Sequence, residues 1–137
     1  MKTTLLSYCF TGVAFFGLDF AWLSIMGGAF YRPMLGTMVL EKFNLAPALI
    51  FYLIYIVGIV AFAVLPALAA GSALNALGSG LLLGLCAYAT YDLTNMATLK
   101  NWPLSLTLVD LGWGTLVTGL ASVIGYKATS LLGQTLS

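Results

Sequence analysis

Residues 47–68 read PALIFYLIYIVGIVAFAVLPAL, an apolar run without a charged side chain. A helix needs about 20 mainly apolar residues to cross a bilayer, so this run is long enough for one span. Three further runs reach a similar length, at residues 5–29, 74–98 and 104–125. The connections between the runs are short, which favours antiparallel neighbours. The sequence therefore predicts an all-α, polytopic membrane protein, with one transmembrane domain over residues 1–137 folded as an antiparallel four-helix bundle.

The composition of the whole chain is typical of a protein that faces lipid. Of its 137 residues, 61% are hydrophobic and 7% are charged, whereas soluble domains carry about 25% charged residues. A soluble domain this small could not hide so much apolar surface, and a disordered chain would need low hydrophobicity and high charge. The net charge of +1 comes without a basic cluster, so we expect no nucleic-acid partner.

The sequence contains few residues of the types that bind metals or cofactors. There is no histidine, and the two cysteines, Cys9 and Cys86, lie singly inside apolar runs. Zinc and iron–sulfur sites need more ligands than these. We therefore expect no metal, no cofactor and no disulfide between the two cysteines. A divalent cation held by carboxylates stays open as an alternative.

Three aspartates interrupt the apolar runs at one depth. Asp19 lies roughly 6 Å past the middle of the first span, Asp92 roughly 9 Å past the middle of the third, and Asp110 roughly 8 Å before the middle of the fourth. Because the fourth span runs back against the other two, all three carboxyl groups are expected in the same half of the membrane. An aspartate at mid-membrane costs about 2.5–3.5 kcal/mol on insertion scales, so such residues generally face the bundle interior and pair.

Aromatic and polar side chains lie beside these acids. The helical period puts Tyr88, Tyr91 and Asn95 on one face of the third span together with its aspartate. The pattern predicts an acidic pocket lined with aromatic rings and opening toward one interface. In the alternative interpretation, each acid only accepts hydrogen bonds and locks the bundle. No catalytic residue is assigned. The candidates for ligand binding or proton relay are Asp19, Trp22, Arg32, Tyr88, Tyr91, Asp92, Asn95, Lys100, Asp110 and Trp113.

The roles of the basic residues stay open. Arg32 or Lys100 could neutralise the acids, or could extend to lipid headgroups instead. Three basic residues lie in the connections and two lie near the termini, so the positive-inside rule leans toward cytoplasmic connections. Among the aromatic residues outside the candidate set, Tyr31 and Trp102 are interpreted as interface anchors, and Tyr52 as a packing or anchoring residue.

Two pairs of small residues have the spacing that lets transmembrane helices approach closely. They are Gly17 with Ala21 in the first span, and Gly80 with Gly84 in the third. Either pair could supply the contact of a homodimer, which four spans would suit.

A distinctive pattern covers the third and fourth spans. Residues 91–103 read YDLTNMATLKNWP and residues 109–114 read VDLGWG, while residues 19–23 read DFAWL. Together they resemble a bacterial family of small predicted membrane proteins that is labelled as a domain of unknown function. The resemblance covers nearly the whole chain. It implies a multi-pass protein of four helices in the bacterial inner membrane, and it implies no established reaction or ligand.

Three functions are compatible with these features. We predict that the protein binds or transports a small molecule, a lipid or an ion at the acidic, aromatic pocket. Alternatively it is a membrane enzyme acting on lipid, with Asp92 and Asp110 as general acid and base. In the third hypothesis it is an accessory subunit whose acids organise packing. The sequence leaves enzymatic activity undecided. The expected partners are membrane lipids and either a second copy of the chain or another subunit of a membrane complex.

Overall fold

The structure, a computed structural model, describes residues 1–135 and the side chains of residues 1–133. Four long helices follow one another with short connections: α1 (Lys2–Met38), α2 (Leu45–Ala70), α3 (Ala73–Thr98) and α4 (Leu104–Thr135). Each is long and apolar enough to cross a membrane, and the described residues contain no strand. The predicted all-α bundle of four transmembrane helices is confirmed.

Each of the first two helices contains a π-helical segment just before a proline. The segments are Gly27–Tyr31 and Val60–Val64, and the backbone N–H directly after each one bonds to the carbonyl group five residues back. In a regular α-helix a proline ring clashes with the carbonyl group four residues earlier. The wider π turn lets α1 continue past Pro33, beyond residue 29 where the first span was expected to end. It likewise lets α2 continue past Pro66.

The helix ends carry local signals. Asn44 accepts a hydrogen bond from the backbone N–H of Ala46 at 3.3 Å and so caps the start of α2. Ser72 caps α3 in the same way. Gly71 and Asn101 adopt φ angles of 63° and 59°, and this left-handed conformation turns the chain before and after α3. The last helix continues beyond residue 125, the expected end of the fourth span, because residues 126–135 contain no proline.

Small residues bring α3 and α4 into close contact. A Cβ atom added at Gly84 would lie 2.8 Å from the Cβ atom of Thr118 and closer still to the carbonyl oxygen of Gly114. A Cβ atom added at Gly80 would lie 2.8 Å from the Cβ atom of Ser122. Both glycines are buried within a single chain. This corrects the expectation that Gly80 and Gly84 could form a homodimer contact.

The other small pair lies on the outer surface. Nothing lies within 4 Å of a Cβ atom added at Gly17, and both Gly17 and Ala21 are exposed. A homodimer through this face stays a prediction.

The close approach at Gly84 gives the first testable prediction. Gly84→Ala should destabilise the bundle by about 1–3 kcal/mol, because the added methyl group forces α3 and α4 apart. Gly78→Ala on the same helix is the matched control, since nothing lies within 4 Å of its added Cβ atom. Thermal unfolding in detergent, followed by tryptophan fluorescence, compares the two variants. Equal melting temperatures would contradict the packing described for α3 and α4.

A packed apolar core fills the bundle on one side of the acids. Its fully buried side chains include Phe15 from α1, Ile59 and Val64 from α2, and Val117 and Ala121 from α4. Phe15 lies one helical turn before Asp19 on the side of the chain termini. The core therefore separates the acidic part of the bundle from the half that holds both termini.

Candidate functional site

Asp19 links three helices. Its side chain is 6% exposed. One carboxylate oxygen accepts a hydrogen bond from the indole N–H of Trp113 on α4 at 2.9 Å, and the other accepts one from the hydroxyl group of Tyr52 on α2. Hydrogen bonds to a charged acceptor are stronger than those between neutral groups. Asp19 therefore holds α1, α2 and α4 together at one depth.

Asp110 forms a second link between α4 and α1. The hydroxyl group of Tyr31 donates a hydrogen bond to its Oδ1 atom at 2.7 Å. That hydroxyl group in turn accepts a hydrogen bond from the indole N–H of Trp22 at 3.0 Å. The chain of contacts runs from Trp22 through Tyr31 to Asp110.

The π turn explains how Tyr31 reaches this site. Trp22 and Tyr31 are nine residues apart and would point to nearly opposite sides of a regular α-helix. The segment Gly27–Tyr31 holds one residue more per turn than an α-helix and so rotates the rest of α1 about the helix axis. Tyr31 was interpreted as an interface anchor, and the structure places it between Trp22 and Asp110 instead. The sequence feature that this π turn shares with the one in α2 is a proline two residues after the segment, Pro33 here and Pro66 in α2.

The two links are joined by stacked indole rings. The rings of Trp22 and Trp113 have centroids 4.4 Å apart and planes 4° from parallel. Aromatic pairs of this kind contribute about 0.5–1.5 kcal/mol beyond the area they bury. We call the joined set the carboxylate network; its members are Asp19, Trp22, Tyr31, Tyr52, Asp110 and Trp113.

A cavity of about 890 Å³ lies beside the carboxylate network. It is bordered by all four helices and by the connection between α1 and α2, it is open on one side, and every member of the network lines it. Tyr88 and Tyr91 of α3 add two further aromatic rings. The site therefore combines acidic groups with several aromatic faces in one space. The predicted site residues that line it are Asp19, Trp22, Arg32, Tyr88, Tyr91, Asp110 and Trp113.

The two basic candidates lie apart from the acids. Arg32 lines the cavity near the first connection, where its guanidinium carbon lies 4.8 Å from the ring centroid of Phe43. This is a cation–π contact. Lys100 is exposed and borders a separate shallow depression formed with residues 33–38. In the described part of the chain, neither side chain forms an ion pair with an aspartate.

Asp92 and Asn95 lie outside the cavity. The Asp92 side chain is completely buried between α3 and α4, beside Asp110. Asn95 is half-buried one turn further along α3. The ring of Tyr91, which does reach the cavity, packs edge-on against Trp102 with centroids 5.9 Å apart.

The site offers few side chains that could bind a metal ion. Within residues 1–135, no group of three or more histidine, cysteine, aspartate or glutamate residues is placed to hold a metal ion. Cys9 and Cys86 are free and exposed on two different helices. The chemistry that the site offers is that of two carboxylate groups and, near the first connection, one guanidinium group, all among aromatic rings.

Comparison with known proteins places the chain in a family. Residues 4–127 match the model of a family described as "predicted membrane protein (DUF2177)". The match covers most of the chain, so the chain belongs to this family, whose function is unknown. No curated protein and no solved structure matches the chain.

Proposed function

We propose that this member of the DUF2177 family binds an organic cation with an apolar body, in the cavity beside the carboxylate network. We further propose the bacterial inner membrane as its location, on the resemblance to a bacterial family. One observation carries the proposal for the ligand. Asp19 and Asp110 both line an intramembrane cavity, and Arg32, the basic residue of the described chain that lines it with them, lies over the ring of Phe43 and pairs with neither.

Charge is the first support. A carboxylate group away from bulk water is costly unless a positive charge or strong hydrogen bonds accompany it. Asp19 uses both oxygens within the protein. Asp110 uses Oδ1 for Tyr31, and its carboxyl group lines the cavity. We therefore assign Asp110 as the acid that contacts the ligand, whereas Asp19 holds the surrounding helices together.

The aromatic rings are the second support. Tyr52, Tyr88, Trp22 and Trp113 line the cavity close to the two acids. A ring face attracts a cation by about 0.5–2 kcal/mol, with the larger value where water is excluded. An ammonium, phosphonium or similar group would meet such rings and a carboxylate group in one place.

The apolar wall is the third support, and it indicates the shape of the ligand. Phe16, Phe20, Leu23 and Leu35 of α1, with Phe51 of α2, line the remainder of the cavity. An inorganic cation would leave this surface without a partner. A cation with an apolar body would bury it, at about 25 cal/mol for each Å² removed from water.

The packed core bears on the choice between binding and transport. Phe15, Val117 and Ala121 are fully buried on the side of the site that faces the termini. In this arrangement the cavity is closed toward that side, so a binding site fits the geometry better than an open pore. Transport would require these core side chains to separate.

The proposal is tested with two ions of matched size and opposite charge. The protein in lipid nanodiscs should bind tetraphenylphosphonium saturably and quench the fluorescence of Trp22 and Trp113. Tetraphenylborate should produce no more binding than empty nanodiscs do, because the cavity acids repel it. Equal binding of the two ions, or none of either, would contradict the proposed function.

A further inference from the structure

Asp92 has surroundings unlike those of the other two aspartates in the spans. Its side chain is 0% exposed and lies outside the cavity. Among the described residues, nothing donates a hydrogen bond to either of its carboxylate oxygens. A buried acceptor without a donor is costly, and buried polar groups in proteins are nearly always bonded. Asp92 therefore needs a hydrogen-bond donor that these contacts do not supply.

The neighbour of Asp92 is a second carboxyl group. Gly84 on α3 faces Gly114 on α4, and the two helices are antiparallel. Gly84 also packs against Thr118 of α4. Asp92 and Asp110 each lie two turns from this contact in the same direction along the bundle, so Asp92 faces the turn of α4 that carries Asp110. The packing of α3 on α4 therefore brings the two carboxyl groups next to each other. Ionised carboxylates only accept hydrogen bonds, so a bond between them requires a proton on one of them.

We propose that Asp92 and Asp110 hold one proton between them, and that this proton leaves when a cation occupies the cavity beside Asp110. The shared proton is inferred from the surroundings of Asp92 alone, while its exchange for a cation rests on the proposed function. Two like charges this close in a medium of low dielectric constant repel strongly. Sharing one proton removes that repulsion and supplies the missing donor.

Other ionisable and polar groups face the pair from three sides. Asp110 comes from α4, and Tyr31 of α1 donates to its Oδ1 atom. Tyr91 is the neighbour of Asp92 on α3, with Asn95 one turn away. No lysine or arginine of the described residues contacts the pair, and Arg32 lies over Phe43. A proton is therefore the positive charge that the pair can obtain when the cavity is empty.

The exchange balances in charge. The proton passes from the pair into the water of the cavity and then to bulk solvent. The cation takes its place beside Asp110, so both carboxyl groups are then ionised and the positive charge of the cation offsets the repulsion between them. The site gains one positive charge and loses one, so the buried region keeps the same net charge before and after binding.

Infrared spectroscopy tests the shared proton without any ligand. The wild-type protein near neutral pH should show the carbonyl stretch of a protonated carboxylic acid, and this band should shift in heavy water. Asp92→Asn should abolish the band, because the amide group then donates to an ionised Asp110. Asp110→Asn should abolish it too, which covers the case that one variant fails to fold. Glu41→Gln changes an exposed acid and should leave the band unchanged.

Two infrared results would overturn the shared proton. One is the absence of the band from the wild type. The other is its persistence in Asp92→Asn, which would assign the proton to a different acid.

Proton release tests the exchange. In weakly buffered solution, the wild type should release one proton for each tetraphenylphosphonium ion bound, and its affinity should rise with pH as the competing proton is removed. Asp92→Asn leaves the cavity lining intact, so it should bind the ion without releasing a proton and without this pH dependence. Binding by the wild type without release would overturn the exchange and leave the proposed function standing. Absence of binding would overturn the proposed function and the exchange, while the infrared band decides the shared proton separately.

Discussion

Replacing Asp110 by asparagine is expected to weaken the binding of tetraphenylphosphonium about tenfold to a hundredfold. The asparagine side chain keeps the shape of the site and can still accept the hydrogen bond from Tyr31. The variant loses the negative charge beside the ligand, and interactions that involve a charged group contribute about 1.5–3 kcal/mol. Each 1.4 kcal/mol corresponds to about a factor of ten in the dissociation constant. Titration of the protein in nanodiscs gives that constant directly.

Glu41→Gln is the matched control for this experiment. Glu41 is an exposed acid in the connection between α1 and α2, and it does not line the cavity. Its substitution makes the same chemical change and lowers the net negative charge equally. We expect an unchanged dissociation constant. Equal weakening in the two variants would show that bulk charge, and not the cavity, attracts the cation.

Replacing Asp19 by alanine should destabilise the protein by about 3 kcal/mol or more. The change leaves the indole N–H of Trp113 and the hydroxyl group of Tyr52 without their acceptor. Each lost hydrogen bond to a charged group costs about 1.5–3 kcal/mol when its donor stays buried. The contacts that join α1 to α2 and α4 at this depth are lost together. Unfolding in mixed micelles, followed by circular dichroism, measures the difference.

Asp19→Asn separates the role of the hydrogen bonds from that of the charge. The amide oxygen can still accept from Trp113, so most of the stability should return. A cation-binding role of Asp19 would instead appear as weaker binding by a stable variant. If Asp19→Ala melted like the wild type, Asp19 would not be the link between three helices.

The four spans could be predicted because they depend on length and hydrophobicity alone. Residues 47–68 and the three other runs each exceed the thickness of a bilayer when helical. The extension of α1 past residue 29 could not be predicted in the same way. It depends on the π-helical segment Gly27–Tyr31, which forms where a proline lies shortly afterwards within the same helix. Hydrophobic periodicity carries no signal for such a turn.

The depth of the acids could be predicted, but their directions could not. Counting residues along each span places Asp19, Asp92 and Asp110 in one half of the bundle. The rotation of each helix against its neighbours depends on packing, and the contact of Gly84 with Gly114 fixes it for α3. As a result Asp92 faces α4 and lies outside the cavity, whereas Tyr88 lines it.

Whether a basic side chain pairs with the acids is the feature of the site that the sequence predicts least well. Arg32 and Lys100 both lie near the acids along the chain, and their long side chains have several reachable partners. The guanidinium group of Arg32 lies over the ring of Phe43, and Lys100 lies at the surface. The acids of the cavity are thereby left without an ion pair to a basic side chain of the described residues, and the proposed function depends on this condition.

The proposed function and the accessory-subunit hypothesis assign different occupants to the cavity. If the aspartates only organised packing, their hydrogen bonds would be satisfied inside a filled bundle. Asp19 does serve packing in this way. The cavity of about 890 Å³ beside it is the space that the proposed function assigns to the ligand, and in the accessory-subunit hypothesis lipid or another subunit would fill it.

Locating a bound cation is the most direct test of the central claim that the cavity binds one beside Asp110. Tetraphenylarsonium has the shape and charge of tetraphenylphosphonium, and its arsenic atom can be found by anomalous diffraction from crystals grown in its presence. We predict one arsenic peak inside the bundle, next to Asp110 and among the rings of Trp22, Tyr88 and Trp113. Arsenic peaks confined to the lipid-facing surface of the helices would contradict the claim.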